Sequence, residues 1–308
     1  MRQRGLWGLR IVMRFKNAGK NPIQDRVGLG WRRELALGIL SHLDRIDVVE
    51  VIADDLFDAP RDERRALRTL SAQTTVVLHG VSLGLASSVP VEKKLLEKTA
   101  RLCEEVRPEY WSEHLAFVRG GGVEIGHLTA PPRTDATIDG AAANLERARE
   151  VVGSAPMVEN IATLIDPPGS DYDEIDWINR IIDSSSGDLL LDLHNLHANA
   201  TNFGYDAMEF LKRLPAERTV AVHLAGGKWV EAIGERRLLD DHLHDVPDVV
   251  YQLLTELAAM VPHPLTVILE RDGAYPPIEV LIGQLDRARE ALAAGRSRQF
   301  EQMEKEAA

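Results

Sequence analysis

Residues 188–194 read "DLLLDLH", an apolar run closed by an aspartate and a histidine. A strand with one wet face alternates polar and apolar side chains, so a continuous run is expected for a strand buried on both faces of a parallel sheet. Residues 75–79, "TVVLH", and 219–226, "TVAVHLAG", have the same form. Outward from these, the pattern predicts strands at Val27–Gly30, Ile46–Ala53, Thr75–Gly80, Glu109–Leu115, Pro156–Asn160, Asp188–His194, Thr219–Leu224 and Leu265–Glu270. Amphipathic stretches follow them and predict helices at Arg32–His42, Arg61–Ser71, Val91–Val106, Asp135–Val152, Asp173–Ser184, Asp206–Leu214, Val246–Met260 and Pro277–Ala294. Thr134 and Asp206 stand where side-chain caps would start two of these helices. Strands that each lead into a helix predict an α/β fold, a single-domain (β/α)8 TIM barrel, with an open doubly wound sheet as the alternative. "HLAGGKWVEAIGERRLLDDHLHD" reads as a long loop after strand seven, and Phe117–Pro132 as an ordered excursion after strand four.

The 308 residues suffice for one such barrel, which takes about 250. Residues 25–296 form the expected barrel domain, residues 1–24 a basic N-terminal extension with Met13 as an alternative start, and residues 297–308 a polar tail with no core to join. Lys and Arg number 36 against 48 Asp and Glu, a formal charge of −12, which disfavours nucleic acid as a partner because phosphate binding needs basic clusters. No run approaches the ~20 apolar residues of a membrane span. A lone cysteine, Cys103, cannot form an intramolecular disulfide, so a cytoplasmic location is expected. Cys103 lies in the apolar pattern of "LLEKTARLCEEV" and reads as a packed helical thiol. The glycines of "RGGG" and "LAGG" lack the spacing of a phosphate-binding loop.

The chemistry gathers at the strand ends. His79, His114, Glu159, Asp192, His223 and Glu270 close consecutive strands, and Asp240 and His242 follow strand seven. In a parallel barrel the C-terminal strand ends build the active site, so these distant residues converge there. A single histidine at a strand end is usually a hydrogen-bonded rim residue; the joint pattern is harder to explain that way. Glu159, Asp192, Asp240 and Glu270 around one mouth would concentrate negative charge, which bound cations would offset. Imidazole mixed with carboxylate suits iron, zinc or manganese better than magnesium, and does not choose among them.

The segments "VVLHGVSLGLAS", "YWSEHLAF", "MVENIATL", "LLLDLHNLHANATNFGYD", "AVHLAGG", "LLDDHLHDVPDVVY" and "VILERDG" resemble the multinuclear non-haem iron-dependent oxidative enzymes, relatives of the methanobactin-biosynthesis peptide oxidase. The resemblance runs from about Val27 to Ala294. It implies a TIM-barrel enzyme with two or three irons, a mixed-valence Fe(II)/Fe(III) pair, held by His79, His114, Glu159, Asp192, Asn195, His223, Asp240, His242 and Glu270. Some members have histidine where Asn195 stands, which bears on a third ion. It further implies O2-dependent oxidation of a ribosomally synthesised precursor peptide, usually at cysteine, with Fe(III) on the thiolate, Fe(II) on O2, and a separate leader-binding partner protein. Glu159, Asp192 and Glu270 are the expected catalytic carboxylates.

Asp54, Asn160 and His194 are expected to touch substrate; Asn160 could alternatively orient Glu159. Asp54 belongs to "VEVIADDLF" with Glu50 and Asp55, where relatives commonly carry a Glu–Asn pair. Glu113 faces away from His114 on an extended strand and is expected in a supporting hydrogen bond, and His197 is a further candidate at the end of strand six. Three other readings compete. A trinuclear zinc endonuclease-like phosphodiesterase would use a similar donor set, a sugar isomerase or epimerase would need fewer ligands, and a non-catalytic metal- or peptide-binding scaffold would show no turnover.

Overall fold

A computed structural model of the chain describes residues 24–120 and 123–307. The expected basic extension lies outside them apart from Gln24, as do Gly121 and Gly122 of "RGGG". Eight parallel strands close a barrel: β1 (Arg26–Gly30), β2 (Val48–Ile52), β3 (Thr75–Gly80), β4 (Trp111–His114), β7 (Met157–Glu159), β8 (Leu189–Asp192), β9 (Thr219–Leu224) and β12 (Thr266–Leu269). The order around the barrel is β1-β12-β9-β8-β7-β4-β3-β2. Two antiparallel hairpins interrupt the alternation, β5 (Phe117–Gly120) with β6 (Val123–Thr129), and β10 (Lys228–Ala232) with β11 (Glu235–Leu239).

The helices are α1 (Ala36–Ser41), α2 (Arg61–Leu70), α3 (Lys93–Val106), α4 (Asp135–Val152), α5 (Glu174–Ser185), α6 (Leu193–Phe203), α7 (Ala207–Lys212), α8 (Asp248–Met260) and α9 (Ile278–Ala307). Thr134 accepts a hydrogen bond from Thr137 N and Asp206 one from Met208 N, so both expected caps form.

Alternation along each strand divides the core. Val49, Val51, Val76, Leu78, Leu189, Leu191, Val222, Leu224, Val267 and Leu269 pack outward with the helices. The intervening residues pack among themselves inside the barrel: Val48, Val77 and Ile268 in one cluster, Met157, Leu190 and Ala221 in another, with Tyr110 against both. Each fully buried Leu, Ile or Val contributes roughly 1.5–3 kcal/mol of transfer free energy. On β1 the interior leaves no room for a side chain, because a Cβ on Gly28 would fall 1.9 Å from Val48 O.

Four expectations need correction. Strand six stops at Asp192 instead of reaching His194, because the Asp192 carboxylate accepts a hydrogen bond from Asn195 N and starts α6 there. The apolar Leu193 extended the strand pattern two residues too far. The supposed long loop after strand seven contains the β10–β11 hairpin, since Ile233 and Gly234 both adopt positive φ at the turn. Arg32–His42 is a 3-10 turn at Arg33–Leu35 followed by the short α1. The C-terminal helix does not end at Ala294: α9 continues to Ala307 with residues 300–306 exposed, and Arg296 and Gln299 tie its middle to Val261 O.

Candidate metal centre

Two residues beyond the interior apolar layer, at the next inward position of seven of the eight strands, stand Glu50, His79, Ser112, Glu159, Asp192, His223 and Glu270. The strand period of two thus converts a hydrophobic plug into a polar floor one step closer to the C-terminal mouth. All seven are buried. Register places His79 opposite Ser112, His114 opposite Glu159, and Asp192 opposite His223.

Two ligand groups overlap at Glu159. His79, His114 and Glu159 form one, and Glu159, Asp192, His223 and Glu270 the other, with ligand atoms in each within 4.8 Å of one another. In the first, Glu159 Oε2 lies 3.3 Å from His79 Nε2 and 3.4 Å from His114 Nε2. His114 Nδ1 is 3.2 Å from Gly80 O, and a carbonyl only accepts, so the ring's proton belongs on Nδ1 and its Nε2 is free to ligate. In the second, His223 Nδ1 lies 3.0 Å from Glu159 Oε1 and 3.1 Å from Glu270 Oε2, and its Nε2 3.0 Å from Glu50 Oε2.

The remaining expected ligands border these groups. Asn195 reaches Asn160 O through Nδ2 at 3.0 Å. His242 lies 2.8 Å from Asp240 Oδ2 through Nε2 and 3.6 Å from Glu270 Oε2 through Nδ1. It adopts φ +54°, a left-handed conformation that costs a non-glycine residue about 1–3 kcal/mol.

The donor set fits a metal. Glu159 Oε2, Asp192 Oδ2 and Asn195 Oδ1 are buried oxygens without a hydrogen-bond partner among the described residues. Such atoms cost about 1–3 kcal/mol each unless something satisfies them, and all three belong to expected ligands. Without cations the site balances itself with protons. Burial opposes charge on His223, yet Glu270, Glu50 and Glu159 hold its pKa well above the ordinary imidazole value. His114 is likewise opposed by burial but raised to about 9 by Glu159 and Glu113. Burial, then the neighbouring Asp240 and Glu159 charges, push Asp192 well above the carboxylate range. Against its burial, His242 and His194 hold Asp240 down to about 2. Metal ions would take the place of the imidazole protons.

Two of the residues expected at substrate also have partners within the site. Asn160 donates from Nδ2 to Asp192 O at 3.0 Å and accepts from Asp192 N at 2.8 Å, so both ends of its amide clamp the Asp192 main chain. His194, 1% exposed, sits on α6 with Nδ1 2.7 Å from Asp240 Oδ1 and holds that carboxylate. Gly227 makes this approach possible, because a Cβ there would lie 2.6 Å from His194 Cε1. Asp54 remains on the rim, accepting from Val81 N at 2.9 Å. His197 is half-buried beside His194, with ring centroids 6.2 Å apart. Glu113 accepts from Leu83 N and from its neighbour His114 N, the supporting role expected of it. Sequence reasoning underrated Glu50 and missed Ser112 and Asp272, which accepts from Arg32 Nε at 2.9 Å and lies 3.0 Å from His242 Nδ1. The signal for the first two was available: each stands two residues after an interior-facing apolar or aromatic residue.

Comparison with known proteins adds to this geometry. Residues 26–293 match the sequence model of a family described as the RiPP precursor modification enzyme MbnB/TglH/ChrH. The chain is 35% identical over 272 residues to a UPF0276 protein of Streptomyces avermitilis, a match covering 86% of this chain and 54% of the relative, so it spans about half of that protein's length. It is 32% identical over 247 residues to a UPF0276 protein of Rhizorhabdus wittichii, covering 80% of this chain and 86% of the relative. Among solved structures it is similar in fold to an L-ribulose 3-epimerase, with a TM-score of 0.59 and 14% identity over 92% of this chain and 99% of that one. A D-psicose 3-epimerase from Clostridium cellulolyticum H10 gives 0.55 and 11%, over 89% and 99%.

Proposed function

The chain belongs to the MbnB/TglH/ChrH family of RiPP precursor modification enzymes, and from that membership and the centre around Glu159 we propose an iron-dependent enzyme that uses O2 to oxidise a ribosomally synthesised precursor peptide. The proposed target is cysteine, and a leader-binding partner protein presents the peptide. The observation that carries this reading is a single buried carboxylate, Glu159, shared by two groups of ligand residues at the barrel mouth. A carboxylate common to both groups could serve two ions, and a pair of ions would suit redox chemistry divided between them.

His79, His114 and Glu159 would hold one iron, and Glu159, Asp192, His223 and Glu270 a second, with Asn195, Asp240 and His242 available to a third. Bound iron supplies one-electron chemistry towards O2 and lowers the pKa of a coordinated thiol. The chain's own residues hold the ligands in place. Asn160 fixes the strand end that presents Asp192, and His194 fixes Asp240.

The test is elemental analysis of protein purified without oxygen from iron-supplemented cells, with Mössbauer spectroscopy of the iron-57 form and mass spectrometry of a candidate cysteine-bearing precursor incubated with O2. Two or three coupled irons per chain and an oxygen-dependent mass shift are expected. Stoichiometric zinc that persists under those conditions, together with cleavage of abasic DNA, would replace the proposal with the hydrolase reading.

A further inference from the structure

Although the two ligand groups share Glu159, different neighbours steer their imidazoles. His79 Nδ1 lies 2.8 Å from Ser112 Oγ, and that hydroxyl lies 3.4 Å from Leu78 O. The carbonyl can only accept, so the hydroxyl donates to it and accepts from the ring N–H. His79 Nε2, the nitrogen that faces Glu159 Oε2, is then left with its lone pair.

His223 is held from the opposite side of its ring. Its Nε2 meets Glu50 Oε2 at 3.0 Å, while Nδ1 faces Glu159 and Glu270. Glu50 is 1% exposed, and Oε1 of the same carboxylate has no hydrogen-bond partner among the described residues. Its place on β2 is far from the chemistry in sequence but adjacent in the barrel interior, where Gly30 is its register partner on β1 and adds no side chain. A buried carboxylate against one imidazole nitrogen fixes the ring and directs the other nitrogen to a metal.

We infer that Ser112 and Glu50 are dedicated positioning residues of two separate ion positions, Ser112 setting His79 Nε2 in the first group and Glu50 setting His223 Nδ1 in the second. The inference rests on the metal-centre part of the proposed function and is independent of iron and of peptide oxidation. It makes the two positions separately adjustable despite their common carboxylate. Neither residue belongs to either ligand group, so each would act on affinity and ligand geometry through its histidine.

The experiment is an anaerobic titration of the metal-free full chain with Co(II) alone, followed by visible absorption and EPR, with thermal melting of the metal-free proteins as the folding control. Ser112→Ala should weaken one Co(II) position about 10–100-fold and Glu50→Gln the other, each removing a different spectral component. The double variant should lose both. Glu50→Asp, which keeps the acceptor but withdraws it by one methylene, should weaken the same position as Glu50→Gln and serves if the glutamine variant does not fold. Wild-type affinity at both positions in the single variants overturns the inference, as does loss of the same component in both. A wild-type chain that takes up no Co(II) overturns it together with the metal centre. Zinc instead of iron in the purified protein, with the crossed Co(II) result intact, overturns the oxidase reading alone.

Discussion

Glu159 is the residue on which the site turns, because it faces His79, His114 and His223 at once. Glu159→Ala is therefore expected to lose both ion positions together, with metal per chain falling towards zero by elemental analysis. In the metal-free form it should also be less stable by about 3–5 kcal/mol in urea denaturation, since removing one member of a buried charged cluster strands the rest. An iron-replete, active Glu159→Ala enzyme would sink the site. Cys103→Ser is the control: the thiol is half-buried on α3, burial raises it to about 11, and the substitution should leave metal content unchanged. Asn160→Ala frees the Asp192 N–H and C=O inside the barrel and is expected to cost about 1–3 kcal/mol, read by the same denaturation. The sequence showed Glu159, Asp192 and Glu270 as strand-end carboxylates. It could not show that Asn160 binds the main chain of a neighbouring strand through both ends of its amide, because that partner is set by barrel register.

Elements carry the rim residues to the mouth. Helix α6 starts where strand six was expected to continue, and its Asn202 clamps the β10–β11 hairpin by donating to Leu238 O at 2.9 Å and accepting from Leu238 N at 2.7 Å. Asp240 follows that strand directly. Asn202→Ala should therefore release the hairpin, speeding hydrogen exchange at the Leu238 amide at least tenfold while the barrel strands keep their protection; unchanged exchange there would show that the clamp is idle. At the other end of the chain, Arg296 of α9 bonds Asp25 with two nitrogens and also reaches Ala258 O and His263 O. Arg296→Ala should cost more than about 2 kcal/mol, whereas truncation after Gln299 should leave the thermal midpoint within about 2 °C, because residues 300–306 are exposed.

At the scale of the molecule, the barrel buries a cluster whose charges are balanced by protons when no cation is bound. His114 is raised to about 9 from an ordinary 6.5, and His223 and His242 are also raised well above it by the carboxylates around them. A folded-state pKa above the unfolded value gives stability that is fully present below about 6.5 and is lost as pH rises through the folded value. Asp192, raised by burial and then by the Asp240 and Glu159 charges, likewise contributes stability that is lost as pH rises through its folded-state pKa. The metal-free protein should accordingly melt at progressively lower temperature between pH 6.5 and 9, and the metal-loaded protein should not. A flat metal-free profile over that range would show that the imidazoles carry no such protons. Among the described residues no helix is long and apolar enough to cross a membrane.

The sequence by itself determined the barrel and the rim. Apolar runs such as "TVVLH" and "TVAVHLAG" require burial on both faces, helical periodicity supplies the cover, and His79, Glu159 and His223 end such runs, so the fold's own geometry sends them to one mouth. What only the tertiary structure decided is how those residues are partnered. Which groups share Glu159, which nitrogen of each imidazole faces it, and the recruitment of Glu50 and Ser112 all depend on the stagger between neighbouring strands. The end of strand six depends on a side chain, Asp192, hydrogen-bonding forward to Asn195 N. Side-chain pattern fixes which face a residue occupies; the 3.0 Å contact between Glu50 and His223, 173 positions apart, is set by closure of the sheet on itself.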